Sequence, residues 1–195
     1  MPPLKIAVLG SGKGSNFRAI LSSIMEGHLR VTPVLAASDV AHAGILALAD
    51  NLGIATMVIQ EPNYRTRLSE EVESALVRQL QASGVELVVL AGYMRLVKAP
   101  LLEAFPRRII NIHPSLLPAF PGLEAWKQAL VAGVKTTGCT VHFVDSGMDT
   151  GEIIAQSEVP ILPGDTPETL HARIQEAEHQ LFPQVLARFA RRELP

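Results

Sequence analysis

With 195 residues, 48% of them hydrophobic and 18% charged, the chain has enough apolar material for a full core, which excludes disorder and fits one domain. A formal charge of -2 leaves no basic field, so gripping nucleic acid is not expected and the partners sought are small molecules. The one cysteine, Cys139, cannot close an internal disulfide; it fits a reducing compartment and reads as a small buried apolar residue.

The first apolar run, Leu4 to Leu9, is strand-length and contains Lys5. It is too short for a signal-peptide core or a membrane span, so a cytoplasmic protein without membrane contact is expected. GSGKGSN, Gly10 to Asn16, follows directly and precedes a helical pattern from Asn16 to Glu26. Glycines let the backbone turn sharply and aim N–H groups at a ligand, and a helix N-terminus favours negative charge, so the turn suits a phosphate. It fails as a Walker A loop because Lys13 is followed by Gly14. It also fails as a dinucleotide fingerprint, whose last glycine position falls on Ser15 counted from Gly10, or on Phe17 counted from Gly12. A site for something smaller than a dinucleotide remains, or a glycine-rich turn with no ligand.

Strand-like runs then recur at Thr32 to Ala37, Thr56 to Ile59, Leu87 to Leu90 and Ile109 to Ile112. Helical patterns lie between them at Ala43 to Leu52 and Arg65 to Ser83, where Leu68, Val72, Leu76 and Leu80 share a face. Such alternation predicts an α/β fold, a Rossmann-like and mostly parallel sheet with helices on both faces. In INIHPS the strand is expected to run out near His113, at the sheet end where open α/β folds bind ligands. Residues i and i+2 of a strand face one side, so Asn111 and His113 should project together. An amide there can donate to an oxyanion, and a histidine titrates near neutrality; a strand-end histidine satisfied by backbone is the alternative. Pro114, Pro118 and Pro121 should stiffen the loop behind them.

Beyond Gly122 a short helix is expected near Ala125 to Ala132, then strands at Thr137 to Phe143 and Ile153 to Ile161, added in antiparallel sense. Between the strands, DSGMDTGEI offers Asp149 in a glycine-flanked loop, able to orient a histidine and hold it as imidazolium, or simply to cap a turn. A long final helix should start with Thr166 as N-cap and Pro167 at its first position, with an apolar stripe from Leu170 through Phe189. No HExxH and no closely spaced histidine pair suits a metal, and His142 and His179 read as structural. No serine occupies a G-x-S-x-G elbow.

Taken together, SGKGSN, LAGYMRLV at Leu90 to Val97, NIHPSLLPAFPG, TVHFVDSGMDTGEII and ARIQEAEHQLFP make a chain that resembles the folate-dependent formyltransferases over nearly its whole length. The resemblance implies formyl transfer from 10-formyltetrahydrofolate as co-substrate, without a metal, in a monomer or homodimer. Catalysis would fall to Asn111, His113 and Asp149. The GSN of Gly14 to Asn16 resembles the phosphate turn of the glycinamide ribonucleotide branch, which implies that Gly14, Ser15, Asn16 and Glu178 hold a ribonucleotide. Arg65, Met94, Arg95, Leu96, Val97, Asn111 and Asp145 would line the folate site. The implied division of labour is a phosphate-binding half over residues 1–100 and a catalytic and folate-binding half over 101–195. Related enzymes with other acceptors carry extra domains for which this length leaves no room. After Gly122 the chain reads LEAWK where many relatives have a histidine, so no contact is carried over to that loop. A nucleotide-dependent oxidoreductase and a non-enzymatic binder are the rival classes.

Overall fold

The computed structural model describes residues 2–195. In chain order it contains β1 (Leu4–Leu9), α1 (Ser15–Met25), β2 (Val31–Ser38), α2 (Gly44–Asp50), β3 (Ala55–Val58), α3 (Glu70–Ala82) and β4 (Leu87–Leu90). There follow α4 (Ala99–Ala104), β5 (Ile109–His113), α5 (Ala125–Ala132), β6 (Thr136–Phe143), β7 (Ile153–Pro160) and α6 (Pro167–Ala190). The strands form one seven-stranded sheet in the order β3-β2-β1-β4-β5-β6-β7. Every pairing from β3 to β5 is parallel, and β6 and β7 add antiparallel, as the sequence pattern predicts. The chain winds outward from β1 to β3 and then returns to place β4 on the other side of β1, so the switch point lies between β1 and β4.

Both faces of the sheet are covered, which is why its central strands read as continuous apolar runs. Ile6 and Val8 of β1 point into one core with Phe17, Ile45 and the α6 residues Leu170, Ile174, Phe182 and Phe189. Ala7 and Leu9 alternate into the other, with Leu76, Leu80, Leu101 and Phe105. Thr166 caps α6 as expected: its hydroxyl accepts from the Thr169 N–H while Thr169 Oγ1 accepts from the Thr166 N–H. Asp165, just ahead, holds Arg173 through paired bonds of 2.8 Å. Among the described residues no helix is long and apolar enough to cross a membrane.

The helix expected from Arg65 begins only at Glu70, with Ser69 as its cap. Other bonds claim the preceding residues. Glu61 accepts from the N–H groups of Asn63 and Ser69, Leu96 N–H donates to Thr66 O, and Arg67 bridges Leu96 in parallel. Helical periodicity therefore extends past the point where tertiary pairing takes over. The short helix α4, opened by Pro100 in its first turn, carries too little periodicity to be foreseen.

The antiparallel extension depends on a close approach at Gly138, where an added Cβ would stand 2.0 Å from Ser157 O and 2.8 Å from a Leu116 methyl. Gly138→Ala should therefore destabilise the protein by about 2 kcal/mol or more, since backbone and not a flexible side chain must move. Urea denaturation of the variant checks this.

Candidate active site

Asn111 and His113 end β5, on one side of the strand, as the alternation requires. The antiparallel register sets Asn111 directly opposite His142. Asn111 Nδ2 lies 3.1 Å from His142 Nε2, and His142 Nδ1 lies 2.7 Å from Phe143 O. A carbonyl can only accept, so Nδ1 carries the proton and Nε2 presents a lone pair to the Asn111 amide. Burial pushes the His142 imidazole below its ordinary value, which favours this neutral form. The amide nitrogen is thereby fixed with one hydrogen engaged by His142. His142, expected to be structural, is part of the cluster, a placement that follows from strand register and not from any local pattern.

Asp149 completes the group. Its Oδ2 stands 3.4 Å from His113 Nδ1 and accepts the Gly122 N–H at 2.8 Å, while Oδ1 is 3.8 Å from His142 Nε2. Two histidines distant in sequence thus face one carboxylate. His113 Nε2 lies 2.9 Å from Phe120 O, so that nitrogen is a donor. The local backbone is held in the left-handed region at Phe120, Glu124 and Asp149, with φ of 57°, 53° and 57°. Gly151 is required two residues on, because a Cβ there would sit 1.7 Å from Phe143 O.

The proline-rich loop is fixed mainly by hydrogen bonds. Thr140 Oγ1 donates to Ser115 O at 2.6 Å and accepts from the Leu117 N–H and from Gln156 Nε2. Ser115 Oγ donates to Ala119 O at 2.5 Å. The Leu117–Pro118 peptide is cis.

Across the sheet's carboxyl end lies the glycine turn. Gly14 precedes α1 with φ of 79°, and a Cβ there would meet Ile45 Cα at 3.0 Å, so glycine is needed both for conformation and for space. Asn16 Nδ2 donates to Glu178 Oε2 at 2.8 Å, joining α1 to α6. Both residues are buried, and Asn16 Oδ1 has no partner among the described residues. Burial pushes the Glu178 carboxyl up to about 7, against the opposing pull of the Asn16 amide. This corner, beside a helix start that no side chain caps, suits a hydroxylated ligand with a phosphate.

The remaining expected site residues are less uniform. Met94 is exposed, Leu96 half-buried and Val97 buried, all in the segment after β4 beside the switch point. Arg95 is in that segment, yet its guanidinium turns to protein: Nε donates to Asp39 at 2.7 Å and Nη1 to Tyr64 O and Arg67 O. Arg65 is exposed. Asp145 shapes its own loop, accepting from the Gly147 N–H and the Thr150 hydroxyl. In the LEAWK segment, Trp126 stacks on His171 of α6 at 3.7 Å and 4°. No group of His, Cys, Asp and Glu able to hold a metal occurs among the described residues.

The family model described as formyl transferase matches residues 4–186, almost the whole of this arrangement. The chain belongs to the formyl transferase family. Phosphoribosylglycinamide formyltransferase of Bacillus subtilis is 45% identical over 182 residues, which is 93% of this chain and 92% of that protein. The trifunctional purine biosynthetic protein adenosine-3 of Drosophila pseudoobscura pseudoobscura is 48% identical over 97% of this formyl transferase, which spans only 14% of that relative's length. Among solved structures, glycinamide ribonucleotide transformylase 1 of Symbiobacterium toebii superposes with a TM-score of 0.90 at 49% identity, over 97% of this chain and 88% of that one.

The raised Glu178 carboxyl has a stability consequence for this formyl transferase. Its folded value of about 7 lies above the ordinary 4.5, so between those values the native state binds more protons than the unfolded state. The stability it contributes is present below pH 4.5 and is lost as pH rises to 7. Glu178→Gln should flatten that fall, a difference on the order of 3 kcal/mol across the window. Melting curves of the ligand-free protein at several pH values test this.

Proposed function

We propose that this enzyme transfers the formyl group of 10-formyltetrahydrofolate to the amine of N1-(5-phospho-D-ribosyl)glycinamide, a step of purine biosynthesis. The observation that carries the reading is the pairing of two unlike corners at one sheet end. One is a phosphate-sized glycine turn backed by Asn16 and Glu178; the other is a triad of oxyanion donor, histidine and carboxylate. Family membership supplies the formyl chemistry, and the names of the relatives supply the acceptor.

Gly14, Ser15 and Asn16 hold the phosphate through backbone N–H groups at the start of α1. Asn16 Oδ1 and Glu178 accept from sugar hydroxyls. The segment 94–97 and the exposed side chains of Met94 and Met148 offer apolar surface suited to the flat rings of a folate. On this reading residues 1–100 supply the phosphate turn and 101–195 the catalytic groups.

When bound, the folate supplies a formyl carbon attached to a nitrogen that can leave. The acceptor amine forms a bond to that carbon, and negative charge develops on the formyl oxygen. Asn111 aims its other amide hydrogen at this oxygen, a contribution of about 3 kcal/mol for one oxyanion donor. His113 exchanges Phe120 O for substrate at Nε2 and delivers a proton to the departing nitrogen, while Asp149 holds the ring through Nδ1. The proton lost by the amine balances the one gained by the folate.

Purified enzyme given a 10-formyl folate and glycinamide ribonucleotide should form the N-formyl product, with little deformylation to water. Absence of product would overturn the reading. His113→Ala and Asp149→Asn should lower kcat by about 10²-fold or more, and Asn111→Ala by about 10² to 10³, as for general-acid and oxyanion groups elsewhere. Steady-state assays with both substrates varied decide this; a His113→Ala variant with near wild-type kcat would remove the proposed acid.

A further inference from the structure

Asp39 closes β2 at the same end of the sheet, one residue past Ser38 and beside the switch point. Its carboxylate is nearly buried, with 9% of the side chain exposed, and it bonds to the glycine turn through Ser11 and to the segment 94–97 through Arg95. Oδ1 accepts from the Ser11 hydroxyl at 2.5 Å, at the root of the glycine turn. Oδ2 accepts from Arg95 Nε at 2.7 Å. Ser11 in turn accepts the Met94 N–H on its hydroxyl at 3.0 Å and donates its own N–H to Gly92 O. Arg95 extends the network through Tyr64 O at 2.6 Å and Arg67 O at 3.0 Å, in the stretch that contains Arg65. The far end of the segment is anchored as well, because the buried Glu73 of α3 accepts the Lys98 N–H at 2.8 Å.

The two bonds to the Asp39 carboxylate are of the strong, charge-assisted kind, while those joining Ser11 to Met94 and Gly92 are ordinary neutral ones. A carboxylate, a guanidinium and a hydroxyl meet in a largely dry space, where removing one partner strands the others. Arg95 has its Nε and Nη1 committed to protein and only 10% of its side chain exposed, so it acts as a strut and not as a ligand. The loops after β1 and β4 are also joined directly, by the Ser11 N–H to Gly92 O and the Met94 N–H to Ser11 Oγ, and Asp39 adds the side-chain link that reaches Arg95.

Resting on the functional reading above, we propose that Asp39 is a positioning residue: through Ser11 and Arg95 it fixes the acceptor's phosphate turn and the donor-binding segment 94–97 in one register. Holding the two loops in one register keeps the acceptor amine and the formyl carbon within reach of each other. A loss of the tie is therefore felt in the binding of both substrates, whereas a residue that merely stabilises the fold would change the amount of active enzyme and leave KM alone.

The test compares wild type, Asp39→Asn and Ser11→Ala in formyl transfer with both substrates varied, together with amide hydrogen exchange of the ligand-free proteins. Asp39→Asn should raise KM for donor and acceptor alike by about tenfold, the size of one lost charge-assisted hydrogen bond. Ser11→Ala should do the same more mildly, and the double variant should be no worse than Asp39→Asn, because both act on one network. Exchange should speed up at Met94 and Leu96 and in the turn around Gly14. Folded variants with both KM values within about twofold of wild type would overturn the proposal, a factor well below the one expected. Should Asp39→Asn fail to fold, Ser11→Ala decides by the same measures. No transfer even by wild type would strike the functional reading; exchange at 94–97 and at the turn would still decide the tie, unchanged rates overturning it.

Discussion

The reversal of strand direction at β5 is the constraint on which the rest of the site depends. β5 pairs in parallel with β4 on one side and antiparallel with β6 on the other. The parallel side places Asn111 and His113 at the carboxyl end of the sheet, beside the switch point. The antiparallel side brings His142 opposite Asn111 and returns the chain through a tight loop that lays Asp149 over His113. Gly138 and Gly151, which admit no side chain, are where this reversed strand pair and its loop press against neighbouring backbone.

Charge in the interior is handled differently at each of its sites. Asp39 meets Arg95 and Ser11, so its ionised form is matched on both oxygens. Glu178 accepts from the Asn16 amide, and burial raises it toward neutrality. Glu73 is also raised by burial, with the Lys98 N–H opposing. Asp149 has a backbone N–H and two imidazoles. Where several polar partners replace water, as at Asp165 with Arg173, the Leu162 N–H and the Thr169 hydroxyl, the carboxyl is held low, and where burial outweighs a single partner, as at Glu178 and Glu73, it is raised. That contrast follows from how each group's solvation is replaced.

Much of this was legible in the residues themselves. The parallel core announces itself through apolar runs buried on both faces, and Thr166 with Pro167 fixes the start of α6 to the residue. Strand alternation puts Asn111 and His113 on one side, whereas Asp149 in its glycine-flanked loop reads equally as a turn cap until the family resemblance picks it out. Contacts that depend on register between distant strands were not legible: nothing local in TVHFV says that His142 rather than Thr140 faces Asn111. Nor does the turn sequence reveal that Ser11 answers to Asp39, twenty-eight positions away. The start of α3 departs from the sequence pattern for a related reason, since the pairing of Thr66 and Arg67 with Leu96 overrides a helical pattern that is locally sound.

Trp126 is the only tryptophan in the chain, and it lies flat on His171 at 3.7 Å. His171 begins the same helix whose next turns carry Glu178. All indole emission from this protein therefore arises at one seam, between α5 and α6, next to the corner where Asn16 and Glu178 meet. An imidazole stacked on an indole quenches it, more strongly when protonated, so the molecule carries a natural optical gauge of how closely those helices lie.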